Sequence, residues 1–183
     1  MIKMVSSFNE QVRRISICGE IDDEIAAHFL EQITSFEMLD RDLPITVYLN
    51  TYGGDIYSAL LIYDAIKLSS CPIHLIGIGK VMSAGVLLLA SGDFGHRYIT
   101  PNCRVMLHQI SGGYCGSMSE MENELSEIRR LQDIYVSILS KETKVAKVKI
   151  KKDLDSGVDI YMSANDAKKY GIVDHICSTK GKI

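Results

Sequence analysis

The chain has 183 residues, 46% of them hydrophobic and 23% charged, with 14 glycines, three prolines and no tryptophan. That is the length of one ordinary domain able to bury a single good core, so one domain over 1–183 is expected. The 20 basic and 23 acidic residues leave a formal charge of −3, which offers no electrostatic footprint for nucleic acid or an anionic membrane surface and argues against both as partners. In chain order, the leading segment MIKMVSSFNEQVRR has no apolar core ahead of a small-residue cleavage site. No run anywhere approaches the roughly 18 apolar residues of a membrane span, so a soluble, cytoplasmic chain is expected.

After a short polar segment at 1–12, Arg13 to Gly19 reads as a strand, and Asp22 to Phe36 carries apolar residues at helical spacing, with Asp22 or Asp23 as its cap. The alternation repeats: a strand Ile45–Leu49, then a helix from about Asp55 to Leu68; a strand Ile73–Ile78, then an apolar helix from about Ser83 to Ala90. Strand and helix in alternation imply parallel βαβ units and an α/β fold. Pro44, Pro72 and Pro101 each fall just before a predicted strand, where a missing N–H does least harm. From Ser117 to Glu142, the residues Met118, Met121, Leu125, Ile128, Leu131, Tyr135 and Ile138 recur at spacings of three or four, which predicts a long amphipathic helix. At 1.5 Å per residue it spans roughly 37 Å, more than such a domain needs. Either part of its apolar stripe meets another subunit, or it is a core helix with a frayed end. The lysine-rich stretch Lys141 to Lys152 reads as a solvated helix face, since Asp153 and Asp155 follow at once. The five cysteines, Cys18, Cys71, Cys103, Cys115 and Cys177, form no C-x-x-C pair and read as reduced thiols.

Three places invite a chemical reading. Gly77-Ile-Gly79-Lys-Val-Met82 fails as a dinucleotide fingerprint, whose third glycine is here Met82, and fails as a P-loop. Thr51-Tyr52-Gly53-Gly54-Asp55 lies between a strand and a helix, where paired glycines leave backbone N–H groups free to hold a developing oxyanion; the alternative is a plain tight turn. In Gly79-Lys-Val-Met-Ser83-Ala84-Gly85, a serine sits at a strand-to-helix turn among small residues. Such a turn exposes Oγ, and the following N–H can serve an oxyanion. An N-cap serine is the alternative. Of the five histidines, His108 ends the apolar run Val105-Met-Leu and opens a glycine-rich loop, as a general base in a cleft would; a half-buried structural imidazole is the other reading. Spacing does not choose a carboxylate among Asp133, Asp153, Asp155, Asp159, Asp166 and Asp174. The residues are compatible with acyl transfer.

From about Arg13 to Ile176 the sequence resembles the proteolytic subunit of the Clp protease. The resemblance rests on four ordered blocks: Val47-Tyr-Leu-Asn-Thr-Tyr-Gly-Gly54, Gly79–Gly85 with Val86-Leu-Leu-Leu-Ala-Ser-Gly92, Gly95-His-Arg-Tyr-Ile-Thr-Pro-Asn-Cys-Arg-Val-Met-Leu-His-Gln109, and Tyr161-Met-Ser-Ala-Asn-Asp-Ala. It implies a crotonase-like α/β fold and a serine peptidase triad in which Ser83 is the nucleophile, His108 the general base and Asp159, in the pattern D-x-[FY]-x-S-A, the orienting carboxylate. By the same resemblance the oxyanion rests on the N–H groups of Gly54 and Ala84, and Gly53, Gly112 and Gly113 flank bound peptide. No metal or other cofactor is implied. The helix at 117–141 matches a protruding handle that joins two heptameric rings, a homo-oligomeric barrel fed with polypeptide substrates by an ATP-driven (AAA+) unfoldase.

The chain departs from the family pattern in places. The usual S-P-G-G is Thr51-Tyr-Gly-Gly54, and the usual proline after His-Gln is Ile110. Between Asp153 and Tyr161 the chain is about two residues longer, with Gly157-Val158 where an arginine that senses ring pairing is common, so Asp155 stands as the alternative to Asp159. The leading segment is short for the loops that contact an unfoldase. Competing readings are a phage-type relative that trims capsid or scaffold proteins, a structural subunit of a mixed ring, and a crotonase-fold enzyme acting on acyl-CoA, which would need a basic nucleotide pocket.

Overall fold

The computed structural model describes residues 13–177, so the leading segment at 1–12 lies outside the described residues. The elements run β1 (Arg14–Ile21), α1 (Asp23–Leu39), β2 (Ile45–Gly54), α2 (Ile56–Leu68), β3 (Ile73–Met82), α3 (Ala84–Ala90), β4 (Arg97–Ile99), β5 (Arg104–Leu107), α4 (Met118–Thr143), α5 (Lys147–Asp155), β6 (Ile160–Met162), α6 (Ala164–Tyr170) and β7 (His175–Ile176). The chain is thus mixed α/β, with a seven-stranded sheet in the order β1-β2-β3-β4-β7, and β5 paired to both β3 and β6. Every pairing is parallel except β5 with β6. The βαβ alternation expected from the sequence accounts for the parallel part.

Helix starts follow their caps. Asp22 accepts a hydrogen bond from the Ile25 N–H and Asp55 from the Ser58 N–H, each satisfying an amide that has no partner within its helix. Ser117 and Glu120 form a reciprocal capping box at the start of α4. The long helix is present as expected; Lys144 in a left-handed conformation (φ 63°) ends it. Strands β2 and β3 run further than their apolar stretches suggest, β2 to Gly54 and β3 to Met82. The Thr51–Gly54 segment is therefore the end of a strand. Backbone pairing extends past the apolar residues because Glu20 and Ile21 on β1 pair with Gly53 and Gly54, beyond an irregularity between Cys18 and Glu20.

Burial alternates along β2, where Ile45, Val47, Leu49 and Thr51 point into the core. Helix α3 lies against β2 and β3 and is buried on every side, Val86 to Leu89 being inaccessible to solvent. A helix that is apolar all round belongs in the interior, and here its burial anchors the residue just before it, Ser83. Helix α4 packs its second half on the core through Leu131, Tyr135, Val136 and Leu139, while Met118, Met121 and Leu125 in its first half are exposed. All five cysteines are unpaired thiols, and burial pushes that of Cys103 up to about 11. Among the described residues, no helix is long and apolar enough to cross a membrane.

Candidate active site

Ser83 joins β3 directly to α3. Its backbone (φ 53°, ψ −126°) lies in a region that a residue with a Cβ seldom occupies. The position is that of an N-cap, yet the hydroxyl caps nothing. Instead, Ser83 Oγ lies 2.7 Å from His108 Nε2. The sheet creates this proximity: β3 and β5 are parallel neighbours with Met82 beside Met106, and the Ser83 N–H donates to the Met106 carbonyl at 2.8 Å. One residue beyond Met82 on one strand and two beyond Met106 on the other bring the two side chains together.

The end of β2 backs the serine. Gly53 (φ +103°) runs so close that a Cβ there would lie 2.6 Å from Ser83 Cβ and 3.1 Å from its Oγ. Gly54 (φ +151°) is constrained from the other side, where a Cβ would collide with the Ile21 carbonyl oxygen. Both positions need glycine for space and conformation. The buried Thr51 hydroxyl holds this segment by accepting the Gly53 N–H at 2.9 Å and donating to the Gly53 carbonyl. Sequence reasoning missed that role; the signal was a threonine two residues ahead of the first glycine, in position for a local side-chain turn.

Gly54, Ser83, Ala84, His108, Ile110 and Tyr135 contribute to the wall of a cleft of about 160 Å³. Ala84 opens α3, so its N–H has no acceptor within the helix. Two α4 residues that sequence reasoning treated only as part of an amphipathic helix bear on this cleft, Tyr135 by lining it and Gln132 through the backbone of Ile110. The buried Tyr135 hydroxyl donates to the Ser83 carbonyl at 3.1 Å, and burial raises its phenol pKa. Gln132 Oε1 accepts the Ile110 N–H at 2.8 Å. A proline at that position would have had no N–H to offer, so Ile110 and Gln132 form one device. The signal was their pairing of a non-proline residue with an amide at the flank of the apolar stripe.

Asp159 is exposed, just ahead of β6, and makes no hydrogen bond to His108. Its placement is nevertheless specific, because Leu107 pairs with Ile160 in the antiparallel β5–β6 ladder and the same register extended by one residue sets His108 opposite Asp159. Directly opposed residues carry their side chains on one face of the sheet. Asp155, at the end of α5, lines a separate hollow with Gln109, Ile110, Gln132 and Lys151, and it too makes no hydrogen bond to His108. Gly112 and Gly113 are exposed in the irregular loop between His108 and α4. The structure therefore brings Ser83, His108, Gly53, Gly54 and Ala84 together and leaves Asp159 opposite His108, one step beyond the last paired residues of the β5–β6 ladder, without a hydrogen bond to the imidazole.

A serine hydroxyl on an imidazole nitrogen, at a strained strand-to-helix turn beside the N–H that opens α3, is an arrangement that can attack an acyl carbon. A family model described as Clp protease matches residues 2–180. With nearly the whole chain matched, the protein belongs to the Clp protease family and is a ClpP-like peptidase.

Proposed function

We propose that the chain is a serine endopeptidase that hydrolyses peptide bonds of unfolded polypeptides through Ser83, His108 and Asp159. The observation that carries the reading is the 2.7 Å approach of Ser83 Oγ to His108 Nε2 at a backbone conformation the surrounding sheet imposes. His108 takes the Ser83 proton as Oγ attacks the carbonyl carbon, and the oxyanion of the tetrahedral intermediate is met by the N–H groups of Gly54 and Ala84. The C–N bond breaks as His108 returns the proton to the leaving amine. Water, deprotonated by the same imidazole, then cleaves the acyl-serine ester and frees the enzyme. Asp159 is the carboxylate that turns onto His108 Nδ1–H in the catalytic cycle and stabilises the imidazolium; its place opposite His108 in the extended β5–β6 register supports this assignment over Asp155. Gly53, Gly112 and Gly113 line the path of the bound chain.

The same reading makes the protein a cytoplasmic, self-compartmentalising particle of paired heptameric rings, supplied with unfolded substrates by an ATP-driven unfoldase. The exposed Met118, Met121 and Leu125 on the first half of a helix of roughly 39 Å support a subunit contact there. The test is cleavage of an unstructured polypeptide such as casein by the purified, assembled chain. Wild-type protein should cut it and His108→Ala should not, with particle mass unchanged; near-normal turnover in His108→Ala would refute the assignment.

A further inference from the structure

Tyr135 brings α4 into contact with the backbone of Ser83 itself. Its ring is 2% exposed, and its hydroxyl donates to the Ser83 carbonyl oxygen at 3.1 Å. The Val86 N–H donates to the same oxygen at 2.9 Å. That oxygen and the Ala84 N–H are the two ends of one peptide unit, which is planar and trans, so they point in opposite directions. Whatever fixes the oxygen fixes the direction of the N–H. Donation to the carbonyl also polarises the unit and strengthens its N–H as a donor.

The conformation of Ser83 makes such a restraint necessary. At φ 53° and ψ −126° the residue is in a sparsely populated region, and strain of that kind persists only where surrounding bonds over-determine it. Rotation of the 83–84 peptide would relieve it and turn the Ala84 N–H away from the cleft. A buried phenol needs an acceptor, and among the described residues this one finds the carbonyl of the candidate nucleophile. Burial keeps the phenol protonated, so it donates throughout the range in which an imidazole base works.

We propose that Tyr135 is a positioning residue: its hydroxyl holds the peptide between Ser83 and Ala84 so that the Ala84 N–H faces the developing oxyanion. This rests on the hydrolase reading above. The role concerns the transition state, so removing the hydroxyl should slow chemistry without weakening ground-state binding.

The test is Tyr135→Phe, which keeps the ring and deletes the donor. Three quantities are measured on the assembled protein: kcat and KM for a fluorogenic peptide, the inhibition constant of a peptide boronate that forms a tetrahedral adduct on serine, and particle mass with Tm. Loss of one well-placed donor bond should lower kcat about tenfold, leave KM within about twofold, and weaken the boronate by the same factor as kcat. Tyr135→Met, which fills the space differently but also lacks the donor, should show the same fall in kcat whatever its Tm. Wild-type kcat in Tyr135→Phe would overturn the proposal, as would a fall in kcat that follows Tm across the two variants while boronate affinity is unchanged. Failure of the wild-type protein to form any boronate or fluorophosphonate adduct on Ser83 would overturn the hydrolase reading and this proposal with it.

Discussion

Replacing Gly53 by alanine tests whether the end of β2 sets the position of the nucleophile. The added Cβ would lie 2.6 Å from Ser83 Cβ, which is 0.8 Å short of the 3.4 Å at which ordinary contact begins, and 2.9 Å from the Met82 carbonyl oxygen. Ser83 cannot easily yield, because its N–H is held by Met106 and its carbonyl by Val86 and Tyr135. Gly53 cannot easily yield either, since Thr51 holds its N–H and Glu20 on β1 pairs with it. The positive φ adds roughly 1–2 kcal/mol for any residue with a Cβ. Some displacement of Oγ by most of an ångström is the outcome, and a misplacement of about 1 Å costs on the order of 10²-fold in rate. The assay is the second-order rate of Ser83 labelling by a fluorophosphonate, with Tm measured alongside. Gly95→Ala separates strain from collision, because Gly95 also has a positive φ (+86°) but open space around its Cβ. Gly95→Ala should lower Tm and leave labelling unchanged, whereas Gly53→Ala should lower labelling by about 10²-fold. Labelling of Gly53→Ala at the wild-type rate would show that the glycine does not place the serine.

Asp159→Asn should lower kcat by about 10⁴-fold, as loss of the orienting carboxylate does in serine hydrolases, while Asp155→Asn stays near wild type; the reverse order in peptide cleavage would move the role to Asp155. Replacing Leu125 and Ile128 together by aspartate should split the particle into smaller species in sedimentation velocity, and an unchanged particle would show that the exposed half of α4 is not an interface. Asp174 is pushed up by burial, but the hydrogen bonds and charge of Arg97, with the N–H groups of Arg97 and Gly95, outweigh this and hold its carboxyl below the usual range. A depressed folded pKa contributes stability that is present above the ordinary carboxylate value of about 4 and lost as pH falls through the folded value. Asp174→Asn removes the carboxylate partner of the 2%-exposed Arg97, whose Nη1 keeps its bonds to the Ala90 and Glu142 carbonyls, a loss of about 3–5 kcal/mol. Tm at neutral pH should therefore drop by roughly 10 °C, and the variant should lose less of its remaining Tm than wild type between about pH 5 and pH 3. Parallel acid sensitivity in the two proteins would contradict this.

Much of the frame was legible because local rules and packing agree. Asp22, Asp55 and Ser117 stand where helix caps are needed, and the Met118 to Ile138 spacing marks all of α4 but its last turn and a half. The strands β4, β6 and β7 are two or three residues long, too short for any periodicity to show; they exist because neighbouring strands supply partners. Ser83 and His108 could be singled out as a turn serine and a strand-end histidine, but their contact depends on β5 pairing beside β3 across 25 residues of sequence, which no local pattern encodes. Tyr135 was legible as a core position of an amphipathic helix and illegible as a hydrogen-bond donor to Ser83, because its partner lies 52 residues away. The same holds for Gln132, whose partner is the backbone N–H that Ile110 supplies where the family pattern has proline, 22 residues away.

The central claim, an activated Ser83, is tested most directly by intact-mass spectrometry of the purified, assembled chain after fluorophosphonate treatment, followed by peptide mapping. The expected result is a single adduct on Ser83 that is absent from His108→Ala. An adduct elsewhere, an equal adduct in His108→Ala, or none on folded and assembled protein would contradict it.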